Sequence, residues 1–311
     1  MAKLLLLGVL SGAFFSSTFI LNELMSLKGG HWVWSASLRY LFMFLLLTGI
    51  ALFNGGIQQL SALTRLFNSY WKFWVLTGSI GFGGFYSLIC FSADFSPGWV
   101  IAATWQFTVV ASLFVFMLFG HSFKNRVWLF SLLIFIGVLL VNVSHIEEFS
   151  LKALLYGGAP VLLAAFCYPL GNQLVWEASH GGNTRIPDIA SPLLENVFNK
   201  VLLMTAGSLP LWAVLILTSH PPAPSADQIA NTLLVALLSG VFATSLFLFA
   251  RNLASTPGEL AGVDATQASE VIFALLGGIL FLGGSTPTVT SITGLILIMA
   301  GLILFIRFQD G

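Results

Sequence analysis

The residues most able to do chemistry in this sequence are ionisable and aromatic side chains that stand inside long apolar runs. Glu270 is the clearest case, because it lies 12 residues from either end of the apolar segment 258–282. At the helical rise that depth is about 18 Å, too far for the carboxylate to reach water. Burial disfavours the charged form of a carboxyl group, so Glu270 is expected to exchange a proton for a cationic ligand. The alternative is a protonated glutamate that hydrogen-bonds a neighbouring helix.

The other candidates are polar or aromatic side chains in the same kind of apolar segment. Asp264 is a second candidate for a proton site, with a structural hydrogen bond as the alternative. Arg39 can anchor at the membrane interface by snorkelling, contact a ligand or form an internal salt bridge. Aromatic faces bind cations, but with 29 Phe in the chain a ring can equally serve packing. The predicted ligand-binding set is Glu270, Gln267, Trp105, Gln106, Tyr86, Thr108 and Tyr168.

The amino-acid composition indicates the solvent in which these residues lie. Of the 311 residues, 57% are hydrophobic and only 8% are charged, whereas a soluble chain carries about 25% charged residues. A soluble enzyme, a nucleic-acid-binding protein and a disordered chain are therefore excluded, and the lipid bilayer is the expected solvent. The two Cys lie in apolar runs and the five His are scattered, so we expect no disulfide framework, no metal and no cofactor.

The apolar segments are too long and too uniformly apolar for barrel strands, so each is expected to be a membrane-spanning helix. The sequence thus predicts an all-α polytopic membrane protein with ten transmembrane helices. The predicted segments are 4–22, 31–53, 72–92, 98–119, 127–143, 153–175, 193–217, 232–250, 258–282 and 288–306.

The distribution of basic residues predicts the orientation. With the N-terminus placed in the cytoplasm, nine Lys and Arg fall on the inner side, and Lys28 and Lys152 fall on the outer side. Basic residues favour the cytoplasmic face, so both termini are expected in the cytoplasm and the protein in the cell membrane, as a multi-pass protein of the bacterial inner membrane. Eight tryptophans, Trp212 among them, fall near predicted span ends, which is typical of an interfacial aromatic belt.

A weak internal duplication predicts two halves, 1–148 and 149–311, with five spans each. The segment 77–98 matches 237–258 without gaps, pairing Ser79 with Ser239 and ending in Ser/Thr-Pro-Gly in both. We expect this Ser or Thr to cap the next helix and Pro to occupy its first turn. At nearly the same offset, Gln106 pairs with Gln267. Because five is odd, the second half enters the membrane upside down, giving the inverted repeats typical of transporters.

Several sequence features together resemble a known family over essentially the whole chain. The features are the Ser/Thr-Pro-Gly openings of spans four and nine, Trp34 with Arg39 on span two, and Gly137 and Gly301 in the fifth span of each half. Ten spans built as 5+5 look like the drug/metabolite transporter superfamily, of the EamA-like kind. The runs 166–172 and 264–270 resemble its multidrug resistance efflux transporter branch. Many relatives carry a Glu near the end of spans four and nine, where this sequence reads Phe-Gly-His and Gly-Gly.

The resemblance implies a secondary transporter, and the buried Glu270 suggests its coupling. We expect export of small organic solutes, cationic or zwitterionic with an aromatic part, by alternating access and antiport of protons through Glu270 or Asp264. The first alternative is an uncoupled facilitator of a metabolite such as an amino acid, and the second is an intramembrane enzyme. The expected partners are a small-molecule substrate, protons and lipid, with no nucleic acid. The protein is expected to be a monomer or a homodimer.

Overall fold

The computed structural model describes residues 2–120, 122–123, 125–144, 154–181, 185–254, 257–284 and 286–308. This part of the chain is almost entirely helical and contains no β-strand. Within it, nine helices are long and apolar enough to cross a membrane, and a further apolar stretch, Val289–Phe305, is shorter. The prediction of an all-α polytopic membrane protein is confirmed.

Each predicted span overlaps one helix, which often extends beyond the predicted limits. Large apolar side chains such as Phe53, Leu118 and Phe281 are 91%, 79% and 78% exposed, so the outer surface matches a hydrocarbon solvent. The helices are α1 (Ala2–Leu27), α2 (Trp32–Ser69), α3 (Trp71–Ser92), α4 (Gly98–Leu118), α5 (Asn125–Ser144), α6 (Leu154–His180), α7 (Val197–Ser219), α8 (226–253), α9 (257–282) and α10 (Val289–Phe308).

Helix α2 differs most from the predicted segment 31–53, because it continues to Ser69 after a kink at Gly56. Gly56 has φ 63° and ψ −162°, a combination that is essentially restricted to glycine. Beyond the kink, Leu63 is buried, and Gln59 Nε2 donates to Asn199 Oδ1 of α7 at 3.1 Å. Residues that the hydropathy pattern assigns to a loop are therefore helical.

Four of the helices are irregular at matching places in the two halves. Helices α3 and α8 contain π-helical stretches, Ser79–Gly84 and Ala236–Ala243, which include the paired Ser79 and Ser239. Helix α9 has a 3₁₀ turn at Thr266–Ala268, and α4 is interrupted after Trp105. There the backbone N–H groups of residues 106 and 107 donate three residues back, so this interruption is also 3₁₀-like.

The helix packing follows a two-fold pattern that exchanges α1 to α5 with α6 to α10. Helix α1 packs on α8 and α9, while α6 packs on α3 and α4; helices α2 and α7 pair with each other, as do α5 and α10. The last pair is antiparallel, because Gly137 lies against Gly294 and Ile134 against Gly301. Small residues allow this close approach of two backbones in a membrane.

The direction of the other helices agrees with this inverted arrangement. Helix α1 runs parallel to α9, since Gly8 lies against Thr266 and Gly277 against Ile20. Helix α6 correspondingly runs parallel to α4. Gly157 lies near Ser96 where the two helices begin. Farther along both helices, Thr108 Oγ1 donates to the carbonyl oxygen of Ala165. The predicted boundary between the halves, at 148 and 149, lies outside the described residues.

The beginning of α4 differs from the prediction that Ser96 caps this helix. Ser96 does not cap the helix; Pro97 occupies the cap position without a side-chain cap, and α4 begins at Gly98. The N–H of Gly98 donates instead to Glu23 Oε2 of α1 at 2.8 Å. Glu23 thus supplies from another helix the acceptor and the negative charge that a helix N-terminus favours. The corresponding cap residue before α9, Thr256, lies outside the described residues.

Candidate functional site

Glu270 meets the opposite half of the molecule at the two helix interruptions. Its side chain is 7% exposed and that of Gln106 is 4% exposed. Gln106 Nε2 donates to Glu270 Oε1 at 2.6 Å. Gln106 belongs to the interruption of α4, and Glu270 follows directly after the 3₁₀ turn of α9. A buried carboxyl group therefore links the two halves through one hydrogen bond from an amide. Protonation or deprotonation of this carboxyl group changes the charge at the contact between the halves.

Three rings pack together and form a group that we call the aromatic triad, consisting of Phe85, Trp105 and Tyr168; Trp105 precedes Gln106 in the chain. The ring centroids of Phe85 and Trp105 are 4.7 Å apart, those of Phe85 and Tyr168 5.2 Å, and those of Trp105 and Tyr168 5.7 Å. Trp105 is partly buried and Tyr168 is 39% exposed. Such rings can stack on an aromatic solute or hold a cation.

A second cluster surrounds Arg39 of α2. The guanidinium carbon lies 4.1 Å from the ring centroid of Tyr86 and 6.0 Å from that of Tyr40. Arg39 Nη2 donates to Ser239 Oγ at 3.2 Å, within the π-helical stretch of α8. Tyr86 is fully buried, and its hydroxyl exchanges hydrogen bonds with the amide of Asn22 at 3.0 and 3.3 Å. Helices α1, α2, α3 and α8 thus converge on one cationic group.

Arg39 does not form the internal salt bridge that the sequence suggested as one possibility. Among the described residues the recorded ion pairs are Lys28 with Asp227 and Arg251 with Asp264. The guanidinium instead lies over the ring of Tyr86 and donates to Ser239 of α8. An aromatic face replaces the carboxylate as its neighbour.

The structure brings some predicted site residues together and separates others. Gln106 and Glu270 are in contact, and Trp105 and Tyr168 share the aromatic triad. The hydroxyl of Thr108 donates a hydrogen bond to the backbone of α6. Gln267 is half-buried in the 3₁₀ turn. These positions leave the roles of Thr108 and Gln267 as predictions.

Asp264 lies apart from Glu270. It forms an ion pair with Arg251 of α8, and the two side chains are 30% and 36% exposed. Six residues along a helix separate its backbone from that of Glu270, or about 9 Å. Asp264 thus joins α9 to α8 through an ion pair, and its role in proton coupling stays a prediction.

Several residues of these clusters were missed or misplaced by the sequence. Trp212, assigned to the interfacial belt, is 3% exposed and stacks on Tyr40 with ring centroids 5.2 Å apart. Phe85 carried no signal of a site, since Phe occurs throughout the chain, and the residue type of Ser239 carried none either. The repeat did offer one signal: Ser239 is the partner of Ser79 in the duplicated segment.

Contacts join the two halves at both ends of the bundle, and two cavities lie at one of these ends. At the end opposite the beginning of α1, Lys28 Nζ lies 3.2 Å from Asp227 Oδ2. Trp34 Nε1 donates to the carbonyl oxygen of Pro222 at 2.7 Å, and Gln228 joins His31. At the other end lies a cavity of about 340 Å³, lined by Phe116, Phe123, Gln173 and Trp176. Another, of about 550 Å³, lies at Ser69, Tyr70, Trp71, Lys72, Phe73, Leu76, Leu174, Arg185, Ile186 and Pro187.

Inverted helix packing, irregular helices at mid-depth and buried polar contacts between the halves together define a polytopic membrane protein of the transporter class. Comparison with known proteins gives the family. The model of the EmrE family, described as "Putative multidrug resistance efflux transporter", matches residues 2–311. The chain belongs to this family.

Two curated relatives match most of the chain. It is 39% identical to "Uncharacterized protein YjlA" of Bacillus subtilis (strain 168) over 318 residues, covering 97% of this chain and 94% of the relative. It is 35% identical to "Uncharacterized 42.1 kDa protein in intracellular alkaline protease 3'region" of Shouchella clausii over 281 residues, covering 86% and 70%. A solved structure named "Crystal structure of protein" aligns with a TM-score of 0.59 at 14% identity, covering 100% and 98% of the two chains. That likeness concerns the fold alone.

Proposed function

We propose that this chain is a secondary active transporter that exports small organic solutes in exchange for protons. The solutes are cationic or zwitterionic and carry an aromatic part. The observation that carries the proposal is the hydrogen bond from Gln106 to Glu270, because it places one buried carboxyl group between the two halves. In an alternating-access cycle these halves move relative to each other, so a proton bound at this point is carried with the motion.

The exchange follows from the chemistry of Glu270. When the site opens outward, water reaches the carboxylate and it takes up a proton. When the site opens inward, a cationic solute binds, the carboxyl group releases its proton to the inside, and the aromatic triad holds the organic part. One monovalent cation then leaves for each proton that enters. No net charge crosses the membrane, so the pH gradient alone drives the export of a monovalent cation.

The difference between the two ends supports a direction for the cycle. The contacts of Lys28 with Asp227 and of Trp34 with Pro222 join the halves at one end. Two cavities lie at the other end, where Gln59 also donates to Asn199. We place the end with the cavities, together with both termini, in the cytoplasm of a bacterial inner membrane, following the excess of basic residues there. The described conformation then corresponds to loading from inside. The halves 1–148 and 149–311 are the units proposed to rock.

The test is flux through the purified protein in liposomes. A fluorescent organic cation such as ethidium is supplied to vesicles with and without a pH gradient, and protein-free vesicles serve as the control. We expect the probe to accumulate against its own gradient only when protons run the opposite way. Equilibration at the same rate with or without the pH gradient would favour the uncoupled facilitator. No flux of the probe beyond that in protein-free vesicles would contradict export of organic cations.

A further inference from the structure

Arg39 carries a charge that the described part of the protein does not balance. Its Nη1 atom is buried and has no hydrogen-bond partner. Its Nη2 atom has only the neutral hydroxyl of Ser239, and its closest ring belongs to Tyr86. A guanidinium remains protonated in proteins, so it cannot avoid the cost of burial by losing its proton.

Two buried or partly buried acids of the bundle, Glu23 and Glu270, accept hydrogen bonds from other groups. Glu23 accepts from the N–H of Gly98, and Glu270 accepts from Gln106. Removing an unpaired ion from water costs several kcal/mol, and ionisable residues inside a membrane protein are almost always paired or face a cavity. The missing negative charge is therefore expected to arrive with a ligand.

The surroundings of Arg39 suit an anion of a particular shape. A guanidinium presents a planar fork of N–H donors that matches a carboxylate, and here Nη1 is a buried nitrogen of that fork whose N–H groups have no acceptor. The ring of Tyr86 lies 4.1 Å from the guanidinium carbon, and the stacked rings of Tyr40 and Trp212 lie beside it. Arg39 as a residue is partly exposed although its Nη1 atom is buried, so a ligand reaches Nη1 only when the neighbouring side chains move apart.

We propose that Arg39 binds the carboxylate of the transported solute. This rests on the proposed transport function and narrows it: the substrate is an aromatic zwitterion, with its ammonium group towards Glu270 and its carboxylate on Arg39. Exchange of such a neutral molecule for a proton moves one positive charge inward per cycle. Export of this class is then driven by the membrane potential as well as by the pH gradient.

The test compares ligands that differ only in the carboxylate. The thermal unfolding temperature of the purified full chain is measured in detergent with phenylalanine or phenylalaninamide, and with 3-phenylpropionate or 3-phenylpropanamide. A ligand that binds the folded state raises this temperature. We expect the acids to act at concentrations at least about tenfold lower than their amides, which corresponds to about 1.4 kcal/mol. Arg39→Gln should abolish the difference, while Arg39→Lys, which keeps the charge but loses the fork, should retain part of it.

The variants separate this inference from the proposed coupling. Arg39→Gln should unfold at a temperature no lower than the unliganded wild type, because it removes an unbalanced buried charge. Glu270→Gln should keep the preference for 3-phenylpropionate over its amide, even where coupling to protons is lost. Equal effects of acid and amide on the wild type, no effect of either acid, or an undiminished preference in Arg39→Gln would each overturn the carboxylate site.

Discussion

The interruptions of α4 and α9 have similar backbone conformations but differ in their side chains. Both are 3₁₀-like turns at corresponding positions in the two halves, and each carries a glutamine, Gln106 or Gln267. Yet Glu270 stands beyond the turn in α9, while the corresponding residue of α4 is Val109. In the proposed mechanism the symmetric backbone adopts two related packings, and the single carboxyl group of Glu270 sets the number of protons exchanged.

The surroundings are unequal as well. The first half supplies Arg39, Tyr86 and most of the aromatic triad, and the second half supplies Glu270 and Ser239. Arg39 and Glu270 therefore each form a hydrogen bond with a side chain of the other half. The following variants test whether this asymmetry or the shared backbone carries the function.

Moving the carboxyl group to the other half should have the largest effect. In the double variant Glu270→Gln with Val109→Glu, the group occupies the corresponding place in α4 but loses its contact with Gln106. We expect uphill transport driven by a pH gradient to fall to the level of protein-free liposomes. The control is Glu270→Gln with Val109→Gln, which places no charge at 109. Recovery of half or more of the wild-type transport would mean that position within the symmetric backbone is sufficient.

The shared backbone can be tested at the antiparallel pair α5 and α10. A Cβ atom at Gly137 would lie 2.6 Å from the carbonyl oxygen of Gly294, so Gly137→Ala should force the helices apart and destabilise the fold by about 1–3 kcal/mol. The matched control is Gly49→Ala in α2, where a Cβ would meet nothing within 4 Å. Unfolding in detergent measures both, and equal stability of the two variants would argue against the close packing of α5 on α10.

The paired glutamines give a smaller and sharper contrast. Gln106→Ala removes the donor to the carboxyl group of Glu270, and hydrogen bonds to charged groups contribute about 1.5–3 kcal/mol. We expect the rate of transport driven by a pH gradient to fall at least about tenfold. Gln267→Ala leaves the hydrogen bond of Glu270 intact and should reduce that rate less. Equal losses in the two variants would indicate that the glutamines act alike despite their different neighbours.

The smallest effect is expected at Asp94, between α3 and α4, whose counterpart in the repeat is the uncharged Ala254. Burial raises the pKa of Asp94, and the hydrogen bond from Ser26 at 2.6 Å opposes this only in part. A carboxyl group with a raised folded-state pKa stabilises the protein below its unfolded pKa and loses that effect as the pH rises through the folded value. Asp94→Asn should therefore raise the unfolding temperature slightly at pH 7 and leave it unchanged near pH 3. A lower unfolding temperature at pH 7 would contradict this sign.

Much of the architecture can be predicted from the sequence, because a membrane span is set by length and hydropathy alone. Glu270 is recognisable for the same reason, because an acid in the middle of an apolar segment is costly and marks a functional candidate. The duplicated segment 77–98 and 237–258 gives the relation between α3 and α8, and the structure adds that both contain π-helical turns at that place.

The rotation of each helix about its axis could not be predicted. In a soluble protein an apolar stripe marks the buried face, but here lipid and core are equally apolar. The sequence therefore could not tell that Trp212 faces inward onto Tyr40, or that Arg39 lies over Tyr86 rather than at the interface. The cap of α4 by Glu23 was hidden for a related reason, since it depends on contact between helices far apart in the chain.

In the proposed mechanism, the proton exchanged for the solute is the proton of Glu270. The most direct measurement is accumulation of the organic cation in proteoliposomes under an imposed pH gradient, with wild type and Glu270→Gln compared in parallel. The variant keeps the size of the side chain and its ability to accept from Gln106, but it cannot titrate. We predict that it remains folded and no longer concentrates the probe. If Glu270→Gln still drives the probe uphill in response to the pH gradient, Glu270 is a structural residue and the coupling lies elsewhere.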